Sequence, residues 1–308
     1  MTERELITQH SFRVMGGPAS VAIRHDADCT REVQGLIKMI EQDTAALERK
    51  YSRYRADSLI SRINSKAGDG EFVAIDAETL SLVNFCAVLH KQSNGLFDPT
   101  SGVLRGVWDF QLGVAKDLSQ LPQLLEKVGW EKVEICDQQL RLTQEAMALD
   151  LGGIVKEYAV DKSIATIREA GFSNAIVELA GDVMAIGGRN NNEAWQVGIC
   201  DPANPSEALI SIELADAALA TSGSYRRYIE LDGERFSHFL HPLSGMPISG
   251  PRSVSVISNT CITAGAVATV ACLKPRADVE SWLEASQLPW LSVSETGLMS
   301  GSIADAKQ

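Results

Sequence analysis

The apolar positions of the chain change period several times, and each change predicts an element. Residues 11–23, SFRVMGGPASVAI, alternate apolar and polar around a Gly-Gly-Pro turn and predict two short hairpin strands. From 29 to 50, Val33, Leu36, Ile37, Ile40, Ala45 and Leu47 fall at helical spacing and predict an amphipathic helix running into ERKYSRYR. In DSLISRINS, Asp57 or Ser58 is placed to cap a short helix. After the polar loop KAGDGE, residues 76–92 repeat the helical period, and SNGLFDPTSG breaks it with Asn, Gly and Pro.

The second half mixes both periods. LDLGGIVKEYAVDKSIATIREAG reads as a strand end, a Gly-Gly turn and a long helix. NAIVELAGDVMAIGG, AWQVGICDP, ALISIEL, ALATSGSY, YIELDG and PRSVSVIS read as strands; residues 261–273 and DVESWLEASQ read as helices. Many strands follow one another across short turns. That predicts an α+β fold of mixed, mostly antiparallel sheets with packed helices, and argues against a doubly wound parallel sheet. No repeat, low-complexity tract or linker interrupts the chain, so 1–308 is expected to form a single domain, or two intimate α/β lobes.

Composition narrows the function. With 45% hydrophobic and 22% charged residues the chain has ample material for a core. A net charge of −12 argues against nucleic acid as a partner, because nonspecific phosphate binding needs clustered Lys and Arg. An anionic ligand would need local devices instead: a metal ion, backbone N–H groups or a few placed cations. The start, MTERELITQHSFRVMGG, shows no secretory signal and no lipid-attachment cysteine, and no apolar run reaches the roughly 20 residues of a membrane span. The expectation is a cytoplasmic protein without a membrane span. Six cysteines, at 29, 86, 136, 200, 261 and 272, are scattered without a CxxC pair, as expected of reduced, buried thiols.

Several turns are rich in chemistry-bearing residues: MGGPAS, NGLFDPTSG, DLGGIVKEYAVD, TSGSY, SHFLHPLSG and TAGAVAT. A Gly-Gly turn entering a helix offers N–H groups and the positive end of the helix dipole to a phosphate, with Lys156 adding a point charge. The alternative is a tight turn with Lys156 solvated. It is not a GxGxxG motif, so a dinucleotide-binding Rossmann unit is not indicated. Asp98 either holds a ribose hydroxyl, with Phe97 packed on a planar ring, or caps the next turn. His238 and His241, three apart, are either a metal or acid–base pair or two loop histidines.

In order, these segments resemble the ApbE family of flavin transferases over roughly residues 11–290. The matching runs are MGG, YSRYRADSLISRIN, GLFDPTSGVL with WDF, DLGGIVKEYAVD, LAGDV, WQVGICDP, TSGSY and HFLHPLSG. The resemblance implies an ApbE-like, T-fold-related architecture. It implies a Mg²⁺-dependent FAD:protein FMN transferase that moves the FMN half of FAD onto a threonine hydroxyl of a target flavoprotein and releases AMP. By position it implies that Met15, Tyr54, Leu96, Phe97, Asp98, Asp150, Lys156 and Leu240 contact FAD, and that His238 transfers a proton or orients phosphate. The Gly153 carbonyl and Thr269 would hold Mg²⁺.

Four positions depart from the family pattern. Gly265 stands where the family has its metal aspartate, Glu157 where Gly is usual, His241 where Asp follows the histidine, and Glu178 where Asn is usual. Loss of the charged ligand leaves three readings. Another carboxylate, such as Asp182 or Glu157, or the FAD pyrophosphate itself, retains the metal; or the protein binds FAD without transferring it; or it hydrolyses FAD to FMN and AMP. Outside the family, the turns would be purely structural in a protein-binding domain.

Overall fold

A computed structural model of the chain describes residues 5–190, 193–231 and 233–305. Its centre is an eight-stranded sheet in which every neighbouring pair is antiparallel. The strands are β1 (Glu5–Val14), β2 (Gly17–Asp26), β3 (Ala175–Leu179), β4 (Asp182–Ile186), β5 (Ala217–Gly223), β6 (Ser253–Ser258), β7 (Trp290–Val293) and β8 (Met299–Ser300), side by side in chain order. The expected α+β, mostly antiparallel architecture is the one observed.

The α-helices of seven residues or more among the described residues are α1 (Thr30–Tyr51), α2 (Leu59–Ser65), α3 (Ala77–Gln92), α4 (Val155–Glu169), α5 (Cys261–Leu273) and α6 (Val279–Ala285). The periodic face of α1 buries Val33, Leu36, Ile37, Ile40 and Leu47 in one cluster with Val21 and Ile23 of β2, Val177 of β3, Ile164 and Ile167 of α4, and Val254 and Val256 of β6. Each such side chain contributes roughly 1.5–3 kcal/mol by leaving water. Ala45 is only half-buried, and Thr44 takes the buried place, donating its hydroxyl to the Ile40 carbonyl at 2.9 Å. The opposite face of the sheet is covered by the antiparallel ribbon Trp195–Cys200 with Ala208–Leu214. Its Trp195, Val197 and Ile199 pack on Ala22, Val183, Ala185 and Leu219. β4 is therefore buried along its whole length, and after Asp182 its run VMAI lacks the polar positions a half-exposed strand would show. A third cluster, around Leu104, Val107, Trp108, Ile229 and Leu240, is built by residues 99–128 and the hairpin of Tyr228–Leu231 with Glu234–Ser237.

Helix ends follow local chemistry. Ser58, not Asp57, caps α2 by accepting from Ser61 N at 2.9 Å, while Asp57 pairs with Arg55. Residues 148–151 form no strand, contrary to the reading of LDL as a strand end. The β1–β2 turn also differs from its reading. It is centred on Met15-Gly16, with φ of 52° and 76°, and Gly17 and Pro18 already lie in β2. A two-residue hairpin turn of this kind needs positive φ at both central positions, which proline cannot supply. The β3–β4 turn repeats the geometry at Ala180-Gly181, with φ of 52° and 98°. The two turns abut: Ala180 N donates to Pro18 O at 2.8 Å, and a Cβ at Gly17 would lie 2.4 Å from Ala180 Cβ.

Candidate functional site

The Gly-Gly turn enters α4 as the sequence suggested. Asp150 N donates to Pro99 O at 2.9 Å, which fixes the turn to the NGLFDPTSG loop. Asp150 Oδ1 accepts from Gly152 N at 2.9 Å, and its Oδ2 lies 3.1 Å from Arg53 Nη1 and 3.7 Å from Arg105 Nε. Two guanidinium groups on one carboxylate leave a net positive charge. Burial, and Arg53 beside it, hold the Arg105 pKa below its ordinary value. Arg53 stacks over the Tyr54 ring at 4.6 Å and so holds a side chain that is otherwise 64% exposed. Phe97 is buried, with Cε2 3.3 Å from where a Cβ on Gly153 would stand, so a side chain there would push the ring away.

Around the helix start, the Leu151 carbonyl accepts from Ile154 and Val155 and the Ile154 carbonyl accepts from Tyr158. The Gly153 carbonyl accepts no hydrogen bond from the described residues. Asp98 is a cap: Oδ1 accepts from Thr100 N at 2.8 Å and from its hydroxyl at 2.6 Å, while Oδ2 faces His90 at 3.7 Å. Of the two roles left open for Asp98, the structural one is formed.

Lys156 is not free in solvent. Its Nζ pairs with Asp182 Oδ2 at 2.5 Å, at the first residue of β4. Glu157, one residue on, is buried beside Asp182 and packs against Gly265 of α5. Burial raises the Glu157 pKa; Lys156 opposes the rise and Asp182 adds to it. The α5 helix is fixed at its start by Asp161 of α4, whose two oxygens accept from Cys261 N at 2.6 Å and Ile262 N at 2.9 Å. One turn beyond Gly265, Thr269 Oγ1 meets Ser222 Oγ of β5 at 2.8 Å. Among the described residues no three His, Cys, Asp or Glu side chains gather as a metal cluster. A cation here would be held by mixed oxygen donors, which suits a hard divalent ion.

His238 and His241 do not act as a pair. His238 Nδ1 donates to the Arg227 carbonyl at 3.2 Å, and His241 Nδ1 accepts from Leu243 N at 3.2 Å. The His238 ring packs on Phe239 at 4.2 Å and meets Phe110 edge-on at 6.3 Å; Phe110 in turn lies 5.9 Å from the Arg105 guanidinium. Burial first, then Arg105 and Arg227, push the His238 pKa down to about 3, so the ring is neutral at pH 7. Leu240 is buried in the third cluster, bridged to Pro247. Met15 and Leu96 are half-buried at the edge of the main core.

The structure thus draws Tyr54 and Asp150 into one charged group with Arg53 and Arg105, and connects His238 to it through Phe110. Lys156 joins a second group with Glu157, Asp182 and Gly265. Arg53, Arg105, Asp161 and Ser222 were missed by the sequence reading. Arg105 left one usable signal: a lone cation in the otherwise apolar run GVLRGVW. The six cysteines are unpaired, but of the buried thiols expected only Cys86, Cys261 and Cys272 are buried; Cys136 is exposed.

Comparison with known proteins bears on the chain as a whole. A model of the ApbE family matches residues 15–291. The FAD:protein FMN transferase of Vibrio cholerae is 31% identical over 251 residues, which cover 80% of this chain and 75% of that protein. The protein of the same name from Treponema pallidum is 28% identical over 266 residues, covering 80% and 72%. Among solved structures, the ApbE protein of Thermotoga maritima matches with a TM-score of 0.86 at 26% identity, covering 98% of this chain and 99% of that one. The flavin transferase ApbE of Vibrio cholerae matches with 0.84 at 26% identity, covering 97% and 98%.

Proposed function

This chain belongs to the ApbE family, and from that membership and the site geometry we propose that it transfers the FMN moiety of FAD to a threonine hydroxyl of a target flavoprotein. The threonine oxygen bonds to the phosphorus on the FMN side, the bond to the AMP phosphate breaks, AMP leaves, and the hydroxyl proton passes to a base. The observation that carries this reading is the arrangement at the start of α4. Two guanidinium groups share one carboxylate, Asp150, beside a Gly-Gly turn whose Gly153 carbonyl has no partner among the described residues. Net positive charge and the positive helix end suit a pyrophosphate; a bare carbonyl beside it suits a cation.

The donor set fits Mg²⁺: the Gly153 carbonyl, the Thr269 hydroxyl and the buried carboxyls next to them are all oxygen. When bound, the ion would neutralise pyrophosphate charge and stabilise the leaving group. Gly153 and Thr269 would hold it. Arg53 and Arg105 bind and orient the phosphates, and the exposed Tyr54 offers a flat face to a ring of FAD. Because Nδ1 of His238 is spent on a carbonyl, its Nε2 carries the free lone pair and is the acceptor for a substrate hydroxyl. Phe97, Leu96, Met15 and Leu240 wall the site, and Asp98 shapes its loop.

The test is incubation with FAD, Mg²⁺ and an acceptor flavoprotein, followed by denaturing electrophoresis. Flavin fluorescence retained on the acceptor band, with AMP released in equal amount, is the expected result. FMN and AMP without covalent flavin would instead make the protein an FAD pyrophosphatase. FAD bound intact, with neither product, would make it a flavin-binding relative.

A further inference from the structure

Two departures from the family pattern touch each other in space. By the resemblance above, Glu157 on α4 stands where the family pattern has glycine, and Gly265 on α5 where it has its metal aspartate. A Cβ placed on Gly265 would stand 2.5 Å from Glu157 Cγ and 3.0 Å from both Cδ and Oε1. Real Cβ atoms do not approach that closely, so the Glu157 side chain occupies the volume that an aspartate at 265 would need. Each change alone is costly: an aspartate facing Glu157 would overpack the contact, and two glycines would leave a cavity and no charge.

We infer that the two positions are a compensated exchange, in which Glu157 supplies from α4 the cation-binding carboxylate that position 265 of α5 no longer carries. The inference rests on the transferase reading above. Glu157 is 5% exposed, and its Oε2 has no hydrogen-bond partner among the described residues. A buried carboxylate oxygen left unpaired is expensive, and a bound cation would satisfy it. Helical side chains lean toward the helix N-terminus, which carries the Glu157 carboxyl back toward the turn that begins at Gly153. Gly153 lies one turn before Glu157, and Thr269 lies one turn after Gly265 on the same side of α5. The three oxygen donors therefore flank a single contact between two helices. Asp182, the other nearby carboxylate, also has a buried Oδ2 without a hydrogen bond, but that oxygen is ion-paired with Lys156, and its Oδ1 accepts from Thr221 N.

Mn²⁺, whose paramagnetism reports binding directly, is the probe. Free Mn²⁺ is followed by electron paramagnetic resonance with and without FAD, and melting temperatures are taken on the same proteins. Glu157→Gln keeps the shape and removes the charge. It is expected to fold, to bind FAD in metal-free buffer as the wild type does, and to bind Mn²⁺ at least about tenfold more weakly. Gly265→Asp alone is expected to melt lower than wild type. The double variant Glu157→Gly with Gly265→Asp is expected to recover both melting temperature and Mn²⁺ affinity. Mn²⁺ binding that is absent from the wild type, or unchanged by Glu157→Gln, overturns the inference, as does a Gly265→Asp protein as stable as wild type. A wild type that never binds FAD sinks the transferase reading, while the Mn²⁺ titration of the flavin-free protein still decides the role of Glu157.

Discussion

Lys156 and Asp182 join the start of α4 to the start of β4, Nζ to Oδ2 at 2.5 Å, and Asp182 Oδ1 accepts from Thr221 N of β5 at 3.0 Å. One carboxylate, 1% exposed, thus aligns three elements around the site. Burial alone would lower the Lys156 pKa, but Asp182 and then Glu157 outweigh it and raise it. The lysine is charged at neutral pH. Lys156→Ala leaves the buried Asp182 carboxylate uncompensated and is expected to cost roughly 3 kcal/mol in urea unfolding. Adding Asp182→Asn should return part of the loss. Additive losses in the two variants would show that the pair is not coupled.

Asp161 fixes α5 against α4 by accepting from the first two N–H groups of α5. Removing that cap with Asp161→Ala is expected to destabilise the fold by about 1–2 kcal/mol. Because Thr269 rides on α5, it should also weaken Mn²⁺ binding, while Asp161→Asn should lose less of both. Denaturant midpoints and Mn²⁺ titration measure the two effects separately.

Arg105 reaches Asp150 and the proposed phosphate site from the third cluster, and Arg53 does so from just beyond the end of α1. Arg105→Ala is expected to weaken FAD binding about tenfold or more, since a charge-assisted hydrogen bond is worth roughly 1.5–3 kcal/mol. Fluorescence titration of FAD in metal-free buffer reads the effect. If the arginine serves only to hold Asp150, FAD affinity will be unchanged and melting temperature alone will fall.

His238 carries its own pH signature. With its pKa held near 3 by burial, Arg105 and Arg227, it stays neutral from pH 5.5 to 8. FAD affinity in that range should therefore show no inflection near 6.5 that disappears in His238→Asn. Such an inflection would mean that the ring is charged in solution.

Acid stability should have an identifiable contributor in Glu78 of α3. Glu78 accepts from Lys50, Tyr51, Tyr158 and Lys162. Burial would raise its pKa, but Lys162 and Lys50 outweigh it and hold it at about 2, against roughly 4.3 in an unfolded chain. A depressed carboxylate stabilises the fold above the unfolded pKa, and that stability is lost as pH falls from about 4.3 to about 2. Glu78→Gln should flatten this part of the stability curve and change nothing at pH 7 that depends on pH.

Gly17 has room for no side chain. Gly17→Ala would set its Cβ 2.4 Å from Ala180 Cβ, between two turns that both use positive φ. Melting temperature should fall by an amount equivalent to roughly 1–3 kcal/mol. An unchanged melting temperature would mean that the two turns separate easily.

Much of this was legible in the chain. The apolar spacing of Val33, Leu36, Ile37 and Ile40 gave α1 its bounds almost to the residue, and the largely apolar run from Cys261 gave α5, because periodicity and helix length are local properties. The ordered motifs identified the family, since each sits on a turn whose local chemistry is fixed by a few adjacent residues. The Met15-Gly16 turn was misplaced by one residue because three turn-formers stand in a row, and only the pairing of β1 with β2 selects between them. Arg105 was missed for a different reason: its partner Asp150 lies 45 positions away, beyond several short strands and helices. Likewise, sequence alone offered Glu157 and Asp182 alike as stand-ins for the carboxylate missing at Gly265, with nothing to choose between them. Glu157 and Gly265 are 108 positions apart, and only the packing of α4 on α5 makes one side chain fill the space the other gave up. Local pattern determines which elements form and which family they spell. Which charges meet is decided by tertiary packing, because Coulomb and steric contacts depend on distance in space and not along the chain.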